Sequence, residues 1–178
     1  MAFVSGDNEL RGPLHMGLPT VEEHRNENVL FNMLQLIKDT ETDICLIGDI
    51  DSTDETYNKL RELSEGYISL HAKIDEKYIF VKNMVHHDRP DSSEYVIRSQ
   101  ESREFSSQGK LFEPDNISQR KKGSISIGNS EYLRYSGELE IARRDLEKEP
   151  KVNIIGYVIP SDIKYLDYIT DGMGFKLI

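Results

Sequence analysis

The chain has 178 residues and a formal net charge of −10. That length suits one ordinary domain, or one small domain with part of another. The negative charge argues against a nucleic-acid partner, because binding phosphates requires a basic face. The single cysteine, Cys45, excludes a disulfide framework and indicates a reduced thiol in a cytosolic protein. No signal peptide and no bilayer-length apolar run is found, so the sequence predicts a soluble, cytoplasmic protein with no membrane partner.

The N-terminal residues predict a first strand-loop-helix unit. Ala2 to Ser5 form a short apolar run typical of a strand, and residues 8–19 contain two glycines and two prolines, as expected of a shaped loop. Thr20 to Glu23 match a capping box at the start of a helix. Apolar residues at helical spacing then predict one buried helix face: Val29, Leu30, Met33, Leu34, Leu36 and Ile37.

A second unit of the same kind follows. The apolar run Ile44 to Ile47 predicts a parallel strand covered on both faces. Ser52 to Glu55 match a second capping box, and Gly66 is expected at C′ of the following helix. The stripe that this helix is predicted to bury contains Tyr57, Leu60 and Leu63.

This repeat is typical of a parallel sheet, in which functional side chains collect at the carboxyl ends of the strands. Asp7 and Asp49 each follow a glycine at such a position. Residues 1–68 also hold 14 acidic and 5 basic side chains, a net of −9, which is most simply a solvated helix surface.

From Tyr67 onward the pattern indicates β structure, and residues 69–178 carry a net charge of only −1. Alternating segments separated by turn residues predict a closed or nearly closed β domain that begins near residues 66–75. One short helix is expected from Ser161 to Ile169. The predicted strands are Tyr67–Ile74, Tyr95–Ser99, Gly123–Gly128, Gly137–Ala142, Val152–Ile159 and Phe175–Ile178.

Several long motifs carry a family resemblance. They are FVSGDNELRGPLHMGLPTVEEHR at residues 3–25, IGD at residues 47–49, HHDRPDSSEYVIRSQESR at residues 86–103, and RYSGEL at residues 134–139. Together they resemble the bacterial 6-phospho-N-acetylmuramidases, and they occur in that family's order over nearly the whole chain.

The resemblance implies an α+β fold: the last two βα units of a TIM barrel in residues 1–68, followed by a cyclophilin-like β-barrel domain in residues 69–178. It implies hydrolysis of the bond from N-acetylmuramic acid 6-phosphate to N-acetylglucosamine in cell-wall recycling. The implied partner is a phosphorylated amino-sugar disaccharide, and no cofactor is implied.

The family's barrel has eight βα units, and this chain is expected to supply only two. We therefore expect the chain to be inactive by itself, with self-association through the incomplete barrel as a possible consequence. The competing hypothesis is a non-catalytic protein whose cyclophilin-like domain binds a ligand or a partner.

Glycoside hydrolysis usually requires two carboxyl groups beside the scissile bond. Asp49, at the end of a predicted buried strand, is the best-placed candidate, followed by Asp7 and Glu9. An equally weighted alternative for Asp49 is a cap on the following turn. Glu22 is a candidate substrate-binding residue if its side chain points toward the barrel mouth, whereas Glu23 is favoured as a capping residue.

Arg11 lies in the loop shaped by glycine and proline. A guanidinium can clamp a carboxylate or a phosphate through paired hydrogen bonds, and the implied substrate carries both. The resemblance favours this substrate role over an ion pair with Glu9 or Asp7. His24 and Arg25 are predicted to make helix-surface or interdomain contacts.

Arg89, Arg98 and Arg103 belong to a basic cluster in the β domain and are candidate phosphate ligands. Ion pairing with acidic residues nearby in sequence is the competing interpretation, favoured for most of the cluster. His86 and His87 are adjacent, so on a strand they point to opposite faces and are not expected to share a metal ion. No metal site is predicted.

Overall fold

The structure is a computed structural model that describes residues 1–178, apart from the side chain of Ser106. Helices and strands are mixed, and the chain divides into two compact units, Met1–Glu65 and Gly66–Ile178. None of the helices in the described part of the chain has the length and apolar character needed to cross a membrane.

The first unit contains two strands and two α-helices in alternation. These are β1 (Ala2–Val4), α1 (Val29–Asp39), β2 (Cys45–Ile47) and α2 (Asp54–Ser64). The two strands pair in parallel, which confirms the predicted strand-loop-helix repeat. A small apolar core forms where α1 covers the strands, and it contains Ala2, Val4, Val29, Met33 and Leu36.

Both predicted helix starts were misplaced. The Thr20 hydroxyl accepts a hydrogen bond from the amide of Phe3 at 2.7 Å, so it serves the edge of β1 and caps no helix. A 3₁₀ turn at Glu22–His24 follows, and α1 begins later with Asn28 as its cap, which accepts from the amide of Phe31. The cap of α2 is Thr53, one residue beyond the predicted Ser52.

The predicted burial of this unit was also partly wrong. Within the described chain, Leu46 on β2 is exposed, so this strand is not covered on both faces. Tyr57 is exposed as well, and Thr56 is the buried residue of α2. Gly66 does follow the end of α2, and its φ of +90° confirms the left-handed C′ position.

The second unit contains eight strands and one short α-helix among the residues described. They are β3 (Tyr67–Leu70), β4 (Ala72–Ile74), β5 (Val85–His87), β6 (Val96–Arg98), α3 (Arg103–Ser107), β7 (Ser124–Gly128), β8 (Leu139–Ala142), β9 (Val152–Val158) and β10 (Gly174–Leu177). The 3₁₀ segments of this unit are Glu76–Val81, Ser130–Tyr135 and Ile163–Tyr168.

The strands form two sheets. One has the order β3-β10-β5, with β10 parallel to β3 and antiparallel to β5. The other has the order β4-β9-β7-β8-β6 and is antiparallel throughout. Ile97, Ile141 and Ile125 face one another across β6, β8 and β7, and all three are fully buried.

Gly156 lets β4 approach β9 closely. A Cβ atom at this position would lie 2.2 Å from the carbonyl oxygen of Lys73. Because β9 also shifts register between Ile125 and Ser126 of its partner, this glycine lies where the ladder is irregular.

Three details of the β prediction required correction. The predicted strand Tyr67–Ile74 breaks at His71, whose amide donates to Asp162 Oδ2 at 2.8 Å, and its two halves enter different sheets. The strand β5 was not predicted, because its sequence, Val-His-His, lacks an apolar alternation. The predicted helix Ser161–Ile169 is a 3₁₀ segment, Ile163–Tyr168.

Candidate functional site

The loop after β1 is held in place by one carboxylate. Asp49, two residues after the end of β2, is buried, and its Oδ2 accepts from the amides of Gly6 at 2.8 Å and Leu18 at 3.2 Å. Its Oδ1 accepts from the amide of Arg11 at 2.9 Å. These amides belong to the preceding loop and not to the turn that follows Asp49. The carboxylate therefore fixes both ends and the middle of the loop.

Gly17 allows this loop to pass close to the strand end. Its φ is +79°, and a Cβ there would lie 2.5 Å from Ser5 Oγ and 3.6 Å from Asp49 Oδ2. The Ser5 hydroxyl is buried and, among the described residues, has no hydrogen-bond partner. The loop backbone thus lies directly on the carboxyl ends of the two strands.

Asp7 is used at the start of α2. Its Oδ1 accepts from the amide of Thr53 at 2.8 Å, and its Oδ2 accepts from the hydroxyl of Thr56 at 2.5 Å. Partial burial raises the pKa of Asp7, but the hydrogen bonds from Thr56 and Thr53 outweigh it, so the pKa lies below the ordinary value of 3.8. The ionised carboxylate also faces the positive end of the helix dipole.

Glu22 forms a bidentate ion pair with Arg25. The guanidinium donates to Oε1 at 2.6 Å and to Oε2 at 2.7 Å, and this lowers the pKa of Glu22 and raises that of Arg25. The same guanidinium donates to the carbonyl oxygens of Met16 and Gly17. Arg25 is therefore a support of the loop, and His24, predicted on the helix surface, is buried.

The side chains of Arg11 and Glu9 make no hydrogen bond or ion pair within the described loop. Both are exposed, and among the described residues neither the guanidinium of Arg11 nor the carboxylate of Glu9 has a hydrogen-bond or ion-pair partner. The alternative ion pair between Arg11 and Glu9 or Asp7 does not form in the described chain. The backbone of Glu9 is nevertheless anchored, because its carbonyl accepts from the amides of Ile50 and Asp51.

In the second unit, Arg89, Arg98 and Arg103 line one cavity with a volume of ≈ 630 Å³. Arg134, Tyr132 and Tyr135 complete its basic and aromatic lining, and three carboxylates also contribute: Asp91, Glu138 and Glu140.

Two carboxylates of this cavity each contact two arginines, at different distances. Asp91 pairs with Arg89 at 2.8 Å and with Arg98 at 3.2 Å. Burial lowers the pKa of Arg89, but the contacts with Asp91 and Glu138 outweigh it and raise the pKa overall. The buried Glu138 lies 3.5 Å from both Arg89 and Arg103, within ion-pair range but at the limit of a hydrogen bond. The local ion-pair interpretation is thus right for Asp91, while Glu138 comes from a distant part of the sequence.

Glu140 forms its ion pair with an arginine that does not line the cavity. It pairs with Arg120 at 2.8 Å, and burial raises its pKa above the ordinary value. Tyr135 lies beside two guanidinium groups: its ring centroid is 4.7 Å from Cζ of Arg134 and 5.4 Å from Cζ of Arg103. The Arg134 guanidinium also donates to the hydroxyl of Tyr135 at 2.6 Å.

The histidines of the predicted basic cluster lie elsewhere. His86 is buried and contacts Ser99 Oγ and the carbonyl of Val81, each at 2.9 Å. His87 is exposed on the opposite face and pairs with Glu101 at 2.6 Å. The prediction that the two rings point apart is confirmed. Among the described residues, no group of three or more His, Cys, Asp or Glu side chains is placed to hold a metal ion.

The sequence interpretation missed Arg134, Tyr135 and Glu138 as members of the cavity. They occur together in the motif RYSGEL, so the resemblance already contained the signal. Their distance in sequence from Arg89 and Arg103 hid the contact, because local spacing does not show which distant segments meet.

Comparison with known proteins connects both units to one family. The family model for the N-terminal region of 6-phospho-N-acetylmuramidase matches residues 1–62, and the model for its C-terminal region matches residues 67–178. No curated protein matches the chain.

Two solved structures are similar to this chain. One is a conserved Enterococcus faecalis protein of unknown function, with 30% identity and a TM-score of 0.79, covering 99% of this chain and 48% of that one. The other is an uncharacterized B. cereus protein, with 25% identity and a TM-score of 0.74, covering 99% of this chain and 53% of that one. This chain thus spans about half the length of each. With family models matching both of its units, the chain belongs to the 6-phospho-N-acetylmuramidase family.

Proposed function

We propose that this chain takes part in hydrolysis of the bond between N-acetylmuramic acid 6-phosphate and N-acetylglucosamine during cell-wall recycling. The observation that carries the proposal is the family match to both units. The substrate is a phosphorylated amino-sugar disaccharide, and this reaction requires no cofactor.

We also propose that the first unit forms the last two βα units of a TIM barrel and that the second unit is a cyclophilin-like domain. The parallel pairing of β1 with β2, each followed by a helix, supports the first assignment. The two-sheet arrangement of the second unit, with its five-stranded antiparallel sheet, is compatible with the second.

Within the first unit, the proposal gives different roles to the three candidate carboxylates. Asp49 accepts three backbone amides, and Asp7 accepts from the start of α2, so both are proposed to position the loop. Glu9 is exposed on an anchored backbone and is proposed as a proton-transfer residue.

Arg11 is proposed to bind an anionic group of the substrate, because its backbone is fixed while its guanidinium has no partner among the described residues. A planar guanidinium suits either the lactyl carboxylate or the 6-phosphate. Glu22 acts indirectly in this proposal, through the Arg25 guanidinium that supports the loop.

The test is hydrolysis of the disaccharide, with release of N-acetylglucosamine followed by mass spectrometry. We would assay the chain alone and a chimaera in which it replaces the matched part of the E. faecalis protein. Two βα units do not enclose a barrel site, so we expect turnover by the chimaera and none by the chain alone.

In the chimaera, Glu9→Gln should reduce the rate by about 10²-fold or more, as expected for loss of general acid-base catalysis. Glu23→Gln is the matched control, because Glu23 is also exposed, belongs to the same unit and has no described side-chain partner. A folded chimaera without turnover would contradict the proposed reaction, and equal rates for both variants would remove Glu9 from it.

A second candidate function is ligand binding by the second unit without catalysis. The arginine-lined cavity favours it, since that feature lies wholly within residues 89–140. Binding that persists in a protein unable to hydrolyse the disaccharide would support this alternative.

A further inference from the structure

The cavity lined by Arg89, Arg98, Arg103 and Arg134 is unusual in a chain of net charge −10. We call it the arginine cavity. Its volume of ≈ 630 Å³ lies within the range of small-molecule sites, which is roughly 300–1,000 Å³. Four guanidinium groups around one small cavity repel each other unless anions neutralise them.

The protein's own carboxylates neutralise only part of this charge. Asp91 pairs with Arg89 and Arg98, and Glu138 is shared at 3.5 Å between Arg89 and Arg103. Glu140 is paired with Arg120, which does not line the cavity. Of the three lining carboxylates, Glu140 is thus neutralised by an arginine outside the cavity. The other two face four guanidinium groups, so an excess of two positive charges remains when Arg120 is counted with Glu140.

Arg103 and Arg134 carry most of that excess. The described contacts of Arg134 are with the neutral Tyr135, and Arg103 has only the long contact with Glu138 and the same tyrosine ring. Both guanidinium groups are exposed. Their donors are thus available to an added anion.

The remaining wall is aromatic. Tyr132 and Tyr135 have ring centroids 5.3 Å apart, and both line the arginine cavity. Aromatic faces pack against the apolar face of a small ring, while arginines beside them bind an attached anion. Inorganic phosphate would use only the second feature, whereas a sugar phosphate would use both.

We propose that the arginine cavity binds a sugar phosphate, with its phosphate on Arg103 and Arg134 and its ring against Tyr135. The choice of a sugar phosphate over other organic anions rests on the proposed function, while the excess of positive charge does not. Phosphate oxygens would accept charge-assisted, bidentate hydrogen bonds from the guanidinium groups.

The test is calorimetric titration of the full chain with N-acetylglucosamine 6-phosphate. All variants would be made in an Arg11→Ala background, so that the loop arginine of the first unit does not contribute. N-acetylglucosamine, inorganic phosphate and citrate are the comparison ligands, because they separate the ring, the phosphate and a general polyanion.

Arg103→Gln and Arg134→Gln should each weaken the binding of the sugar phosphate about tenfold or more, as expected for a lost charge-assisted hydrogen bond. Arg144→Gln is the matched control. Arg144 is also exposed and lies 4.5 Å from a tyrosine ring, that of Tyr95, but it does not line the cavity. Circular dichroism would confirm that each variant is folded.

The proposal is overturned if the sugar phosphate does not bind, or if the unphosphorylated sugar binds equally well. Binding of phosphate or citrate as tight as that of the sugar phosphate would overturn the sugar component. Equal losses for Arg103→Gln and Arg144→Gln would overturn the site itself. Because turnover is not measured, binding without hydrolysis removes only the proposed function, and hydrolysis without this binding removes only the present inference.

Discussion

Asp49 holds Arg11 by its backbone and not by its side chain. Oδ1 of the aspartate accepts from the arginine amide at 2.9 Å, while the guanidinium has no partner among the described residues. A buried carboxylate thus fixes the position of an exposed cation without neutralising it by direct pairing. Substitution of Asp49 should therefore lower stability, whereas substitution of Arg11 should weaken substrate binding without affecting stability.

We predict that Asp49→Asn loosens the loop. An asparagine has one acceptor oxygen where the carboxylate has two, so at least one of the amides of Gly6, Arg11 and Leu18 loses its acceptor. The loss of charge-assisted hydrogen bonds should lower the free energy of unfolding of the first unit by roughly 2–3 kcal/mol. Hydrogen exchange at these three amides measures the effect, and Glu9→Gln is the control. Unchanged exchange would show that the carboxylate does not hold the loop.

We predict that Arg11→Ala leaves stability unchanged and lowers kcat/KM of the chimaera about 10- to 100-fold, the effect of one charge-assisted hydrogen bond. Arg11→Lys should restore only part of the rate, because an ammonium lacks the planar fork. Comparison with the unphosphorylated disaccharide identifies the anion. A larger loss with the phosphorylated substrate indicates the phosphate, and equal losses indicate the lactyl carboxylate. Unchanged kinetics on both substrates would refute a substrate role for Arg11.

We predict that Asp7→Asn destabilises the start of α2 in a pH-dependent way. The pKa of Asp7 is lowered in the folded protein, so its contribution is present above the ordinary value of 3.8 and is lost as the pH falls through the folded-state value. At neutral pH the loss should be about 0.5–1 kcal/mol, because the exposed carboxylate is screened by solvent. Amide exchange of Thr53 and Thr56 reports it. Asp43→Asn, an exposed loop substitution, should have no such effect.

We predict that the second unit loses stability as the pH falls below about 6.5, the ordinary histidine value. Burial lowers the pKa of His86, so this histidine is protonated at a lower pH in the folded state than in the unfolded state. Stability therefore declines between the two pKa values, by at most about 1.4 kcal/mol per pH unit for one group. Urea unfolding at pH 7 and at pH 5 measures this decline.

His86→Gln should flatten that pH dependence, even if it lowers stability overall. His87→Gln on the opposite face should retain the acid-side loss, because His86 is still present. An equal pH dependence in His86→Gln and the unsubstituted protein would exclude this histidine as its source.

The regular elements were predictable wherever local pattern and tertiary packing agree. The alternation in β7, β8 and β9 survives because one set of side chains, including Ile125 and Ile141, is buried by the sheet. The prediction failed where a distant group competes for the backbone. The carboxylate of Asp162 accepts a hydrogen bond from the amide of His71, and the predicted strand is divided there. The amide of Phe3 donates to the hydroxyl of Thr20, which is therefore not used as a helix cap.

The sequence predicted which residues belong to the candidate site better than it predicted their hydrogen-bond and ion-pair partners. Asp49 was identified from its place after a strand, yet its three amide partners lie 31 to 43 positions away in sequence. Arg89 and Arg103 were identified from local charge, but the buried Glu138 between them was not. Such contacts depend on strand pairing, which local spacing does not determine.

The central position of β10 has a consequence for how the second unit is made. The strand that pairs with β3 lies roughly a hundred residues further along the chain, since Tyr67 pairs with Gly174 and Leu70 with Leu177. During synthesis on the ribosome, β3 and β5 emerge with no strand between them. Contacts so distant in sequence slow folding, so we expect the backbone groups of these two strands that face β10 to stay unpaired until β10 is made.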